Sequence, residues 1–135
     1  MFKETKDDKY CPGQIWKYHA RLGEEESTIL IIGSEAEIIN ERPWKTFFHV
    51  IINNLNLHTR EGEIVNTINR IYFPKEVLET SLTIMIGIQE VVPRYLSLSY
   101  RENIRSGEGG YFSSTIANAI DFIEKDLKVN PLTWH

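Results

Sequence analysis

The chain has 135 residues, a formal net charge of −4 at neutral pH and an isoelectric point near 5.6. This length predicts one domain, residues 1–135, with a core large enough to fold without disulfides or metals. The acidic balance argues against nucleic acid and anionic membranes as partners, because both attract basic surfaces. Cys11 is the single cysteine, which excludes an intrachain disulfide and a cysteine-rich zinc site.

The N-terminal segment, MFKETKDDKY, is charged and has no periodic pattern. We therefore expect residues 1–11 to be flexible and the ordered fold to begin near Gln14, after the turn signal Pro12-Gly13. The segment lacks the apolar centre of a signal peptide, and the chain contains no run of 18 apolar residues. These features predict a cytoplasmic protein.

The first half of the chain has the patterns of short β-strands. Residues 14–21 alternate, with Trp16, Tyr18 and Ala20 on one face, and residues 28–32 are rich in β-branched side chains and end at Gly33. These two segments predict a hairpin that turns Trp16 and Tyr18 into the core. Further strands are predicted over residues 37–40, 46–52, 55–58 and 63–68, with breaks at Arg42-Pro43, Asn53-Asn54 and Glu61-Gly62.

The second half changes to a helical period. Pro74 fits the first turn of a helix whose buried face consists of Val77, Leu78, Leu82 and Met85. Pro93 fits the start of a second helix that ends at Gly107. The apolar positions of that second helix are Leu96, Tyr100 and Ile104.

The last predicted helix begins at Ser113 or Ser114 and ends before Asn130-Pro131. Its apolar stripe is the cleanest in the chain and consists of Ile116, Ala119, Ile120, Ile123 and Leu127. Between the last two helices, Tyr111 and Phe112 are expected to lie extended along the sheet edge. Strands followed by helices predict an α+β fold, in which a curled antiparallel sheet or small barrel of five to six strands is covered by two to three helices.

Three consecutive glutamates, Glu24, Glu25 and Glu26, follow the first predicted strand. Such a cluster is able to hold a divalent cation or to supply the acid and base of a hydrolase, because adjacent like charges raise each other's pKa. A solvated acidic turn is the simpler interpretation, since neighbours in sequence rarely converge on one ion and no calcium-loop motif is present. We predict that all three carboxylates stay in water and that the protein uses no metal and no cofactor.

The histidines are His19, His49, His58 and His135, and their spacing is not that of zinc ligands. His49 shares a strand face with apolar neighbours, which predicts a hydrogen-bonded core histidine. His58 is the more exposed candidate for chemistry. The glycine-rich residues 106–110 match no phosphate-binding motif, and no nucleophile elbow is present.

The opening stretch PGQIWKYHARLGEEES belongs to a pattern that continues later in the chain. The later matches are His49-Val50, Glu76, Leu78, Ser81, Tyr100-Arg101-Glu102, Gly110 and Phe112. Together these residues resemble a family of small, uncharacterised bacterial proteins whose pattern opens with PGQ-x-W-x-Y-x-x-R-x-G-E-E-x-S. The resemblance covers roughly residues 12–127 and implies a shared fold. Asn69-Arg70 stands where that family has Gly-His, so no histidine chemistry is carried over.

A shorter stretch, Gly13-Gln14-Ile15-Trp16 with Gly23-Glu24-Glu25, resembles the first hairpin of the MazF/PemK toxins, which are small barrels that cleave RNA. The arginine-proline pair of those toxins is missing after Glu26, and the net charge of −4 does not suit an RNA-binding protein. We interpret this stretch as a common hairpin that opens a barrel.

A small acidic domain without an assembled catalytic group favours a non-catalytic binding protein. The hypothesis is an immunity protein that neutralises a bacterial toxin, contact-dependent or secreted, by direct binding to a basic toxin domain. Carboxylates steer a basic partner and aromatic side chains anchor it. The predicted partner-binding residues are Glu24, Glu25, Glu26, Trp44, Glu61 and Glu63.

Two alternatives stay open at this point. One is a small hydrolase or RNase that pairs His49 or His58 with Glu24 or Glu25, which requires a pocket with a carboxylate at hydrogen-bond distance from an imidazole. The other is a structural or regulatory homodimer that associates through its sheet edge.

Overall fold

The structure is a computed structural model that describes residues 1–100 and 114–129, without the side chains of Arg70 and Tyr100. Within these residues the strands are β1 (Phe2–Glu4), β2 (Gln14–Tyr18), β3 (Thr28–Ile39), β4 (Arg42–Asn53), β5 (Leu57–His58), β6 (Ile64–Val65), β7 (Ile68–Pro74) and β8 (Leu82–Ile88). The helices are α1 (Lys75–Ser81), α2 (Ile116–Val129) and a short 3-10 helix (Leu98–Tyr100).

The main sheet is antiparallel and has the strand order β7-β4-β3-β2-β8, with β1 paired to the second half of β3. Strands β5 and β6 form a separate two-stranded hairpin. The sheet is curled and two helices accompany it, so the predicted α+β class is confirmed.

The hairpin of β3 and β4 forms the centre of the sheet. Its turn residues, Asn40 and Glu41, have φ angles of 52° and 65°, as in the two-residue turns that match the twist of paired strands. The predicted strand break at Arg42-Pro43 is wrong, because Pro43 lies within β4 and pairs with Ile38. The missing N–H of this proline is tolerated because β7 pairs with β4 only as far as Phe47, and no other described strand lies on that side of β4 at Pro43.

Two parts of the N-terminal segment, residues 1–11, which was expected to be flexible, are attached to the sheet. Strand β1 pairs with β3, and Tyr10 is 1% exposed. The ring of Tyr10 packs edge-to-face on Trp16 and Phe48, at centroid distances of 5.5 and 5.6 Å. Asp7 accepts the N–H of Tyr10 and forms an ion pair with Lys75. The contacts with Phe48, Lys75 and β3 join residues far apart in the chain, so the local sequence pattern does not reveal them.

Helix α1 ends at Ser81, and the chain continues directly as strand β8. The predicted helix through Met85 is therefore wrong. Strand β8 pairs with β2 from Tyr18↔Leu82 to Gln14↔Ile88. The β-branched and apolar run Leu82–Ile88 suits a strand, and it becomes one because the edge of β2 is available to it.

The helix predicted from Pro93 is also wrong for the residues that are described. Residues 93–97 are not helical, and the 3-10 helix covers only Leu98–Tyr100. The remaining predictions in this region lie outside the described residues. They concern Ile104, Gly107, the glycine-rich residues 106–110, Tyr111, Phe112 and the stop at Asn130-Pro131.

The last helix is confirmed, and all five residues of its predicted stripe are buried. Its N-terminal cap is Thr115, whose Oγ1 accepts the N–H of Asn118 at 3.2 Å. The cap is thus one residue later than the predicted Ser114, and Ser113 lies outside the described residues.

The sheet carries an apolar cluster on each face. The larger cluster contains Tyr18, Ile29 and Phe48 together with the buried stripe of α2, and Trp16 packs against it. The inward orientation predicted for Trp16 and Tyr18 is confirmed. The smaller cluster, on the other face, consists of Phe47, Tyr72 and Leu98, with Phe2 packed against it.

Candidate functional site

The acidic turn after β2 is organised around Arg21. Its guanidinium donates two hydrogen bonds to Glu24, of 2.7 and 2.8 Å. Its Nη1 reaches Asp121 and Glu124 on α2, each at 3.0 Å. These hydrogen bonds hold the pKa of Arg21 above its ordinary value. The largest contribution comes from Glu24, and the two carboxylates of α2 add to it. A planar guanidinium suits a bidentate carboxylate, so one cation joins the turn to the last helix.

Glu24 is 4% exposed, so the expectation that it stays in water is wrong. Its carboxylate also accepts the N–H of Asn56 at 2.8 Å, which leaves it paired and hydrogen-bonded. Glu25 and Glu26 are exposed, as predicted. Glu24 therefore acts inside the protein, and only the other two glutamates of the turn are available to a partner.

The β5–β6 hairpin places Glu61 and Glu63 at the same end of the molecule, and both are exposed. The base of this hairpin is tied to the Arg21 cluster, because the N–H of His58 donates to Glu124 at 2.8 Å. We use the term acidic face for the exposed carboxylates at this end, which are Glu25, Glu26, Glu61, Glu63 and Asp121. Lys17 and Arg60 lie among them: Lys17 donates to the Glu25 carbonyl, and Arg60 is 3.7 Å from Glu61.

Trp44 lies far from the acidic face. The register of the central hairpin pairs Thr28, just after the acidic turn, with Asn53 at the end of β4. Trp44 lies near the opposite end of that strand, roughly 30 Å away at about 3.3 Å per residue. It is 60% exposed, and Lys45 lies 5.4 Å from its ring centroid. The predicted binding surface is therefore divided between two ends of the molecule.

A second buried carboxylate, Glu35, lies on β3 and is 1% exposed. Its Oε1 is 3.1 Å from Nε2 of His49 and accepts the N–H of Leu98 at 3.1 Å, while Oε2 accepts the hydroxyl of Ser97 at 2.7 Å. His49 is 4% exposed, so the prediction of a hydrogen-bonded core histidine is confirmed. Glu35 was not predicted, because the two residues meet only through the register of the central hairpin.

The ring of Tyr95 stacks on His49, with centroids 4.0 Å apart and planes at 20°. The same ring lies so close to Gly33 that a Cβ at that position would collide with it. Glycine thus permits the stack here, and Gly33 lies inside β3 instead of ending a strand. Burial, with a further contribution from Glu35, raises the pKa of Tyr95 to about 12.

A cleft of about 690 Å³ opens beside Tyr95, and His49, Tyr72, Arg94 and Asn69 contribute to its lining. Glu35 and Ser97 line a neighbouring cleft instead. The three groups are linked in the order serine, glutamate, histidine, because Ser97 donates to Glu35 and not to the imidazole. A serine nucleophile activated by histidine requires the imidazole next to the hydroxyl. His49 does pair with a glutamate, but with Glu35 instead of the predicted Glu24 or Glu25.

Among residues 1–100 and 114–129, strand β8 is an edge of the main sheet, and this edge is apolar. Its exposed apolar side chains, with the exposed fraction of each, are Ile84 (61%), Met85 (41%), Ile86 (53%) and Ile88 (68%). Successive side chains of a strand point to opposite faces, so apolar groups flank this edge on both sides. The opposite edge, β7, differs because Ile68, Ile71, Tyr72 and Phe73 are buried.

In residues 1–100 and 114–129, no group of three or more His, Cys, Asp or Glu side chains is placed to hold a metal ion. No helix in the same residues has the length and apolar character needed to cross a membrane. Comparisons of the chain with protein families, curated proteins and solved structures find no match.

Proposed function

We propose that this protein is a non-catalytic binding protein that acts in the cytoplasm as an immunity protein, and that it neutralises a bacterial toxin, contact-dependent or secreted, by binding a basic toxin domain. The observation that supports this proposal most directly is an exposed apolar edge strand, β8, next to the acidic face. Exposed apolar patches of this kind are typical of interaction surfaces.

The two surfaces meet around Ser81, at the junction of α1 and β8. The N–H of His19, which leads into the acidic turn, donates to the Ser81 carbonyl at 2.9 Å. The N–H of Ile116, at the start of α2, donates to the Ser81 hydroxyl at 3.2 Å. The acidic turn, the helix that carries Asp121 and the first residue of β8 are therefore neighbours. A single partner is able to contact both surfaces.

The acidic face and β8 contribute to different quantities, which are the association rate and the affinity. Carboxylates on the acidic face attract a basic protein over several ångströms and raise its association rate. Apolar side chains that leave water on contact supply affinity. Glu24 contributes indirectly, because its pair with Arg21 holds the turn that presents Glu25 and Glu26.

The test is co-expression with the product of the adjacent reading frame, followed by binding kinetics of the purified pair. We expect this protein to relieve growth inhibition by that product. The double substitution E25K/E26K should lower the association rate constant about tenfold at low salt, with a smaller effect on dissociation. Glu41→Lys is the control, a single charge reversal at an exposed glutamate of the distant hairpin turn. On a logarithmic scale, it should lower the association rate constant by much less than half as much as the double substitution does.

The proposal would be contradicted if the adjacent product were not toxic, or if its toxicity persisted in the presence of this protein. It would also be contradicted if the purified pair did not associate. Equal association rates for E25K/E26K and Glu41→Lys would contradict the role of the acidic face.

A further inference from the structure

We propose that β8 binds a short extended segment of the partner as an additional β-strand, and that this segment is apolar in the middle with lysine or arginine at its ends. This inference rests on the proposed function in one respect, that the partner is a basic protein.

The backbone of β8 is the first argument. Within the described residues, β8 is paired on one side only, with β2, so the N–H and C=O groups of its other side face away from the sheet. A partner strand at such an edge gains main-chain hydrogen bonds. Natural edge strands are commonly protected by lysine, proline or other charged residues, and the sequence of β8, LTIMIGI, contains none of these.

The shape of β8 limits the length of the added segment. Its pairing with β2 has two register shifts, between Ile15 and Trp16 and between Trp16 and Tyr18. At each shift the extra residue is on β8, and such bulges bend a strand and increase its twist. Regular hydrogen bonding along the outer side is therefore expected over a few residues only, which favours a short segment over a long strand.

The side chains of β8 predict the composition of the middle of that segment. Ile84, Met85, Ile86 and Ile88 are all exposed by 41% or more, and they flank the edge on both faces of the sheet. A strand laid beside β8 would contact apolar side chains on both of its own faces. Consecutive apolar residues in the partner would bury the most surface from water.

The charges at the two ends of β8 predict the ends of the segment. Glu79 precedes the strand and Glu90 follows it, and both are exposed. A second copy of this chain, paired antiparallel and centred on Met85, would bring Glu79 of one copy towards Glu90 of the other at both ends. Like charges in such positions are destabilising, and each copy carries a net charge of −4. Basic residues in a different protein would instead form opposite-charge pairs with both glutamates.

The experiment uses the full chain and three synthetic peptides with the same apolar centre, Val-Thr-Val-Ile-Val. The first has two lysines at each end and the second has two glutamates at each end. The third has the lysines and N-methyl groups on alternate amides, which remove hydrogen-bond donors but keep charge and side chains. Affinity is measured by fluorescence polarisation, and hydrogen exchange reports the protection of the amides of β8.

We expect the lysine peptide to bind and to protect amides within Leu82–Ile88. The glutamate peptide and the N-methylated peptide should each bind at least tenfold more weakly, by the loss of charge pairing and of main-chain hydrogen bonds respectively. Ile86→Lys in the protein should weaken the lysine peptide by at least tenfold. Ile39→Lys, at an exposed isoleucine near the far end of β3, should leave its affinity unchanged.

Several outcomes would overturn the inference. The lysine peptide does not bind, or the N-methylated or glutamate peptide binds equally well. Alternatively, light scattering shows a dimer whose β8 amides are protected without peptide, and the occupant of the edge is then a second copy of this chain. If the toxin of the co-expression test binds the wild type and Ile86→Lys equally, the role of β8 is wrong while the proposed function stands. If that toxin fails to bind but the lysine peptide behaves as expected, the proposed function is wrong and the strand site stands.

Discussion

The two faces of the main sheet are built from the same kinds of contact, but they bury very different numbers of apolar side chains. Each face has an apolar cluster and one buried carboxylate that contacts a basic side chain. Among the described residues, the face that contacts α2 has a cluster of nineteen buried residues and the pair Arg21–Glu24, whereas the other face has a cluster of three and the pair Glu35–His49. Buried apolar area therefore holds the first face together, whereas specific hydrogen bonds position the groups of the second face.

The largest difference in stability between the two faces should appear at two neighbouring phenylalanines of β4. Phe47 and Phe48 are both fully buried but lie on opposite faces of the sheet. Phe48→Ala should lower the free energy of unfolding by about 5 kcal/mol and Phe47→Ala by about 3 kcal/mol, because a cavity in the larger cluster is less able to collapse. Urea unfolding of the two variants measures this. An equal or larger loss for Phe47→Ala would contradict the ranking of the faces.

The Arg21–Glu24 pair is expected to contribute to the stability of the first face. Glu24→Ala should cost about 3 kcal/mol, because the substitution leaves a largely buried guanidinium and the N–H of Asn56 without their acceptor. Asp121 and Glu124 remain beside Arg21, so a larger loss is not expected. Glu25→Ala, one residue away and exposed, should change stability by less than about 0.5 kcal/mol. Thermal and urea unfolding of this matched pair test the assignment, and similar effects of the two substitutions would refute it.

The corresponding test on the second face is Glu35→Gln, which keeps the shape of the side chain and removes its charge. We expect a loss of about 2 kcal/mol, because the amide keeps one accepting oxygen, whereas the carboxylate offers two charged oxygens to His49, Ser97 and Leu98. Glu41→Gln, in the exposed turn, is the control and should be neutral within about 0.5 kcal/mol. A neutral Glu35→Gln variant, measured by urea unfolding, would mean that apolar packing alone holds this face.

The smallest expected effect is a dependence on acid pH through the Arg21 cluster. Burial opposes the charge of Glu124, but the N–H of His58 and the Arg21 guanidinium outweigh it and lower its pKa below the ordinary value of 4.5. Because the folded pKa lies below the unfolded one, Glu124 stabilises the fold above about pH 4.5, and this contribution is lost as the pH falls through the folded pKa. Glu124→Gln should therefore lose less stability than the wild type between about pH 5 and pH 3. Parallel stability curves for the two proteins would contradict this.

Much of the fold follows from local pattern, because some segments have only one way to bury their apolar side chains. The stripe of α2 and the alternation of β2 are of this kind, and both predictions are confirmed. The run Leu82–Ile88 is different, since its apolar residues suit both a helix and a strand. Pairing with β2 decides in favour of the strand.

The candidate surfaces were predictable only in part. Exposure of Glu25, Glu26, Glu61 and Glu63 agrees with the sequence, because charged side chains in turns favour water. Burial of Glu24 does not follow from the turn alone, although an arginine three residues earlier is a signal for a local ion pair. The remaining partners of that arginine come from a helix about 100 residues later in the chain.

Four features follow from the sequence alone: the α+β class, the inward face of the first hairpin, the buried apolar stripe of the last helix and the acidic character of the surface. Each of them depends on residue type and local period. The tertiary structure alone decided that Tyr10 lies in the core, that β8 is an exposed edge, that Trp44 is remote from the acidic face and that Glu35 meets His49. These features depend on which strands are neighbours and in what register. Register is set by the packing of the whole sheet, which no short stretch of residues contains.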